Sequence, residues 1–102
     1  VFHDALARDS LDIMQNAMAE SGRSNLAQII ADVTDYHADT RTLEDAAKAA
    51  GIEQLVLYHL VPTPMNSLTE TMFLRGLSDK TLLAHALQVF ELPPASDEII
   101  IR

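Results

Sequence analysis

The chain has 102 residues, a formal charge of −8, no cysteine, and a composition that is 48% hydrophobic and 22% charged, enough for one small domain with one core. Its seven basic residues are scattered from Arg8 to Arg102, which excludes the clustered positive face that nucleic-acid binding requires. The lack of cysteine excludes disulfides and thiolate metal sites, and no apolar run approaches the length of a membrane span, so neither nucleic acid nor a bilayer is an expected partner.

Val1-Phe2-His3-Asp4-Ala5 reads as a strand entered partway, with no polar lead-in, and carries the expectation that these residues are a fragment of a larger fold. Asp9 and Ser10 are placed to cap a helix whose apolar positions Leu11, Met14 and Met18 recur at helical spacing, with Gly22 as its stop. Ser24 is placed to cap a second helix. There Leu26, Ile29, Ile30 and Val33 form an i, i+3, i+4, i+7 stripe, and the short Ser-Gly-Arg-Ser link predicts an antiparallel pair. The segment from Thr34 to Thr40 is polar and irregular, the kind of loop that carries function. Thr40 or Thr42 is then expected to cap a third helix, with Leu43, Ala46, Ala47 and Ala50 facing inward.

Gly51 ends that helix, and Leu55-Val56-Leu57 follows as a short apolar run bounded by turn residues, the pattern of a parallel strand buried on both faces. It delivers His59 just ahead of Pro62 and Pro64. In α/β sheets ligands gather at the carboxyl ends of strands, which makes His59 a candidate metal or catalytic residue. After the prolines, Ser67-Leu68-Thr69-Glu70 reads as a capping box opening a fourth helix that stops at Gly76. Residues 80–92 fit either a helical stripe or two short strands, periodicity favouring the helix. Ile99-Ile100-Ile101 is an apolar end expected to dock on the rest of the fold.

Four histidines occur, none in an H-x-H or H-x-x-x-H pair, so no self-contained zinc motif is present. Asp4, His37 and His59 converge if all three lie at one sheet edge, and a carboxylate beside a histidine can orient it or share its proton. Each also has a plainer reading: Asp4 as a solvated acid or helix cap, His37 as a turn residue bonded to its own backbone, His59 as a histidine bonded to a neighbouring carbonyl. His3 and His85 read as structural, and Met14, Met18, Met65 and Met72 as core filler.

Three segments together resemble the C-terminal part of metallo-β-lactamase-fold hydrolases, closest to the ribonuclease Z and arylsulfatase-like branches. Phe2-His3-Asp4-Ala5 is similar to the group's strand ending in His-Glu-Ala, with Asp4 where the family has Glu. Tyr36-His37-Ala38-Asp39 resembles its His-Ser-Thr-type loop. The run from Ala46 to Ile52, followed by Leu55-Val56-Leu57-Tyr58-His59-Leu60-Val61-Pro62, resembles the segment carrying the last metal-ligand histidine. The resemblance covers about residues 1–92 and implies an α/β fold: the C-terminal part of a single αββα sandwich domain spanning residues 1–102, a few strands with about four helices. It implies that His59 is a ligand to one of two divalent metals, usually zinc, and that Asp4 and His37 form an outer pair that steadies a leaving group or relays a proton. The substrate would be a small molecule with an ester-type bond: a phosphoester, sulfate ester or lactone. The family's His-x-His-x-Asp-His motif, a further histidine and the bridging aspartate are absent from these residues. The remaining ligands are therefore expected from an N-terminal half of the domain, with a homo-oligomer mate as the alternative partner. The family also places a hairpin over residues 80–92, and the hairpin is the expectation kept over the helix. A different class of reading is a non-catalytic α/β interaction module, or a degenerate relative that binds a small molecule without turnover.

Overall fold

The computed structural model describes residues 1–102. The chain opens with strand β1 (Phe2–Leu6), passes through helices α1 (Arg8–Glu20), α2 (Ser24–Asp35) and α3 (Thr40–Ala49), and returns in strand β2 (Leu55–Val61). Helix α4 (Ser67–Phe73) then leads to strand β3 (Thr81–Leu83), and two short strands, β4 (Phe90–Glu91) and β5 (Ile100–Ile101), end the chain. β1, β2 and β3 form one sheet in that order, and both pairings are parallel. This is an α/β fold with four helices, as the alternation of stripes and apolar runs predicts.

The expected central strand is the middle of the sheet, and Leu55, Val56 and Leu57 are all buried. Side chains alternate between sheet faces, so Leu55 and Leu57 share one face with Ala5 and Leu83. Leu43 and Ala47 of α3 and Phe73 of α4 pack against that face. Leu57 is fully enclosed, a burial worth about 1.5–3 kcal/mol. On the other side Phe2 meets Phe90 edge-on with ring centroids 5.1 Å apart. An apolar groove of about 400 Å³ remains between Val1, Phe2 and Val56 and the residues around β4. No helix is long and apolar enough to cross a membrane.

Several local expectations are corrected. Asp9 and Ser10 lie inside the first turn of α1 and Ser24 begins α2, and neither helix has a side-chain cap, the preceding positions being Ala7 and Arg23. α3 is capped by Asp39, whose carboxylate accepts from the Arg41 N–H at 2.9 Å, while the Thr42 hydroxyl donates to the Asp39 carbonyl. A carboxylate outcompetes a threonine hydroxyl at this position because it brings charge to the positive helix end. Of the α3 residues expected inward, Leu43 and Ala47 are, whereas Ala46 and Ala50 are exposed. The capping box of α4 starts one residue earlier than expected. The Asn66 side chain accepts from the Thr69 N–H, and the Thr69 hydroxyl accepts from the Asn66 N–H.

Residues 80–92 form neither a helix nor a closed hairpin. Thr81–Leu83 pairs with β2, and Phe90–Glu91 pairs antiparallel with Ile100–Ile101, so the apolar end does dock, onto β4. Leu82 and Leu83 gain more as the third strand of a buried sheet than as one turn of an isolated helix.

At the amino end of the sheet one carboxylate oxygen holds α3 to the start of β3. Glu44 Oε1 accepts from the Ser78 N–H at 2.7 Å, the Ser78 hydroxyl at 2.6 Å and the Thr81 hydroxyl at 2.7 Å. The Ser78 hydroxyl does most to hold the Glu44 carboxyl below its ordinary value of 4.5, against the opposing push of burial, and the Thr81 hydroxyl, Ser78 N–H and Lys48 charge add to it. Because the folded value is depressed, this contribution is complete above 4.5 and is lost as pH falls through the lowered value. Glu44→Ala leaves the buried Thr81 hydroxyl without its partner and is expected to cost about 1–3 kcal/mol at neutral pH in urea unfolding. The same comparison in acid should show the gap closing; a gap independent of pH would contradict this role.

Candidate functional site

The site is built at the carboxyl ends of β1 and β2 and depends on a fault in their pairing. Asp4 pairs with Tyr58, but the next residue, Ala5, pairs with Leu60, which leaves His59 as an extra residue bulged from β2. His59 has a φ of 44°, the left-handed region that histidine enters more readily than bulky or branched residues. The strand does not end at this histidine, as the prolines suggest, but runs on to Val61, whose carbonyl accepts from the Ala7 N–H at 2.9 Å. Bulges of this kind re-aim a side chain beside a site while the ladder continues past them. The His59 ring is exposed and makes no hydrogen bond or ion pair within the chain, unlike the carbonyl-bonded histidine of the plainer reading.

His37 stands on the link between α2 and α3, and β1 fixes that link from its outer edge. The Leu6 N–H donates to the Ala38 carbonyl at 2.7 Å, and Leu6 bridges Asp39 in parallel. The Arg8 Nε–H donates to Asp39 Oδ2 at 2.7 Å. Burial pushes the Asp39 carboxyl up, but the Arg8 hydrogen bond, the Arg41 N–H and the two guanidinium charges together hold it below its ordinary value. The residues between α2 and α3 are thus clamped at their α3 end; Thr34 and Asp35, expected in an irregular loop, belong instead to the last turn of α2, and Thr40 begins α3.

Within that clamp, Asp4 Oδ2 accepts from His37 Nδ1 at 3.0 Å and from the Ala38 N–H at 3.2 Å. A carboxylate can only accept, so Nδ1 of His37 carries the proton, and neutral His37 keeps a lone pair on Nε2. The His37 and His59 rings stack with centroids 5.3 Å apart and planes 26° apart. Asp4, His37 and His59, separated widely in sequence, therefore meet at one sheet edge. His37 bonds a carboxylate rather than its own backbone, and Asp4 is neither a helix cap nor a free acid. Although one methylene shorter than glutamate, Asp4 spans the distance.

His3 also lies beside this group. Its Nδ1 lies 3.0 Å from Asp4 Oδ1 and 2.9 Å from the Asp4 carbonyl oxygen. Adjacent strand residues point to opposite faces, which hides such a contact from sequence. His85 stands apart, 3.9 Å from Glu70. Tyr36 lies against His37, with ring centroids 5.2 Å apart.

Burial raises the Asp4 carboxyl, but the Ala38 N–H, the His37 ring and the charges of His3 and His37 outweigh it, leaving Asp4 below its ordinary value of 3.8. No cluster of three or more histidine, aspartate or glutamate side chains that can hold a metal ion is present. What the chain does offer a metal is one free imidazole on a fixed bulge, beside a carboxylate-oriented histidine. That donor set fits one edge of a metal centre and not a whole one. The family models contain no match to this chain, and neither the curated proteins nor the solved structures contain one.

Asp4→Asn removes the charge that draws His3 and His37 together and is expected to cost about 1–2 kcal/mol of unfolding free energy at neutral pH. With the folded Asp4 value depressed, the wild-type advantage is complete above 3.8 and disappears as pH falls through the lowered value. Urea titrations of both proteins across that range check the sign; an advantage that grows in acid would contradict the assignment.

Proposed function

We propose that this chain contributes one edge of the active site of a metallo-β-lactamase-fold hydrolase, in which two divalent metals, usually zinc, cleave an ester-type bond in a small molecule. The observation that carries this reading is the meeting of Asp4, His37 and His59 at the carboxyl edge of a parallel sheet, the three positions to which the sequence resemblance assigns site roles. In this reading His59 is a ligand to one metal, and the ligands still needed come from outside these residues: an N-terminal half of the same domain, or failing that a homo-oligomer mate. When bound, such metals lower the pKa of a water molecule and polarise the substrate oxygen.

The chain's own residues then have separable tasks. His59 offers an unpaired imidazole whose backbone is held by the ladder on both sides of the bulge. Asp4 fixes the His37 tautomer through Nδ1 and would stabilise the imidazolium that forms when Nε2 takes the proton released by the attacking water. Protonated His37 then gives the Nε2 proton to the departing oxygen of the ester and returns to the neutral form. His3, against the second oxygen of Asp4, limits rotation of that carboxylate.

Metal content and turnover of the protein isolated from its own cell test this directly, with aryl phosphoester, aryl sulfate and lactone probes. His59→Ala is expected to weaken metal retention by at least about tenfold. His37→Ala is expected to keep the metal and lower turnover by about 10²–10⁴-fold. Unchanged metal occupancy in His59→Ala would sink the ligand assignment. A metal-free native protein, inert on all three probes, would replace this reading with the non-catalytic interaction module.

A further inference from the structure

A hollow at the amino end of the sheet has no task in the proposed metal chemistry. It encloses about 400 Å³ between the carboxyl-terminal half of α3, the turn into β2 and the residues that open β3. That volume lies toward the low end of the about 300–1,000 Å³ of small-molecule sites. Its apolar wall is Ala47, Ile52 and the buried Leu55.

Beside that wall stand charged groups that the fold leaves open. Glu44 lines the hollow, and its Oε1 takes all three of the donors that tie α3 to β3. Oε2 accepts nothing within the chain and reaches solvent. The carboxylate is therefore fixed by one oxygen and offers the other. Lys48 stands one helical turn further along α3 and also lines the hollow. A glutamate and a lysine at this i, i+4 spacing commonly pair with each other. Here they do not. Lys48 is near enough for its charge to lower the Glu44 carboxyl, yet it forms no ion pair, and Ser78 and Thr81 hold the carboxylate toward β3. Lys80, on the β3 side of the hollow, is exposed and equally unpaired.

We infer that this hollow binds a small zwitterion with an apolar body, of the class of an apolar α-amino acid. The ammonium group sits on Glu44 Oε2, the carboxylate between Lys48 and Lys80, and the hydrocarbon part against Ala47, Ile52 and Leu55. Charge balance selects this class over ligands with a single charge. An amine alone leaves both lysines unanswered. An acid alone leaves Glu44 unanswered and meets the carboxylates of Asp45, Glu53 and Asp79 in the same lining. One charge of each sign answers both, through charge-assisted hydrogen bonds that are about twice as strong as neutral ones. The hollow lies at the opposite end of the sheet from Asp4, His37 and His59, so this inference stands or falls without the metal reading.

Isothermal titration calorimetry of the native chain with L-leucine and L-phenylalanine tests it. Isoamylamine and isocaproate serve as leucine lacking the carboxylate or the amine. The expected result is saturable binding of at least one amino acid, with both single-charge analogues at least about tenfold weaker. Lys48→Ala combined with Lys80→Ala is expected to weaken that binding at least about tenfold, with an unchanged circular dichroism spectrum because both side chains are exposed and unbonded. Glu44→Gln keeps an oxygen for Ser78 and Thr81 but loses the charge, and is expected to bring the same loss; the lysine variant carries the test if Glu44→Gln unfolds. No binding of either amino acid at about 10 mM would overturn the site. Binding that survives the lysine substitutions, or isoamylamine held as tightly as leucine, would overturn it equally.

Discussion

The one-residue slip between β1 and β2 is the constraint on which the rest of the molecule depends. Up to Asp4 and Tyr58 the parallel ladder is regular, and from Ala5 and Leu60 it is regular again. Only by accommodating His59 as an extra residue with positive φ can the sheet both continue to Val61 and turn an imidazole toward the loop before α3. Without the slip, His59 would take its place in the alternation and be carried to a face set by its neighbours. The cost of a non-glycine residue in that region, about 1 kcal/mol or more, is offset by a ladder that resumes beyond it and by a fully buried Ala5 and Leu6. Strain held in place by good structure on both sides is what a positioned functional side chain requires.

Three carboxylates give the fold its remaining precision. Asp4 gathers two histidines and a backbone N–H at the carboxyl end of the sheet, Asp39 gathers Arg8 and the start of α3, and Glu44 gathers Ser78 and Thr81 at the amino end. Each is held below its ordinary value because several donors converge on it. The chain is strongly acidic overall, yet these three anions act locally as acceptors that tie loops to strands. Acid therefore attacks the site and its scaffold together.

Much of this was legible beforehand because it depends on local spacing. The buried strand at Leu55–Leu57, the stripe on α2, and the stops at Gly22 and Gly51 follow from periodicity and from φ values near 70° that glycine adopts freely. The candidate trio Asp4, His37 and His59 was legible through resemblance and strand-end logic. The bulge was not, since no glycine marks it and it exists only as a relation between two strands far apart in sequence. The contact of His3 with Asp4 was hidden for a related reason: alternation assigns the two residues to opposite faces. Residues 80–92 misled because Leu82, Leu83, Ala86 and Leu87 satisfy a helical stripe by coincidence, while β2 offers Thr81–Leu83 an open ladder. The caps at Asp39 and Asn66 were each missed by a residue or more, the scale on which competing hydroxyls and carboxamides choose between neighbouring positions.

The central claim is that the bulge presents His59 as a metal ligand beside a histidine already committed to Asp4. The most direct measurement is the long-range proton–nitrogen spectrum of the imidazoles in the native protein, recorded with and without zinc. The account predicts that a His59 nitrogen moves to a metal-bound shift, while His37 keeps its Nδ1 proton on Asp4. A His59 ring whose nitrogen shifts are unmoved by zinc, or a zinc-induced shift confined to His85, would contradict it.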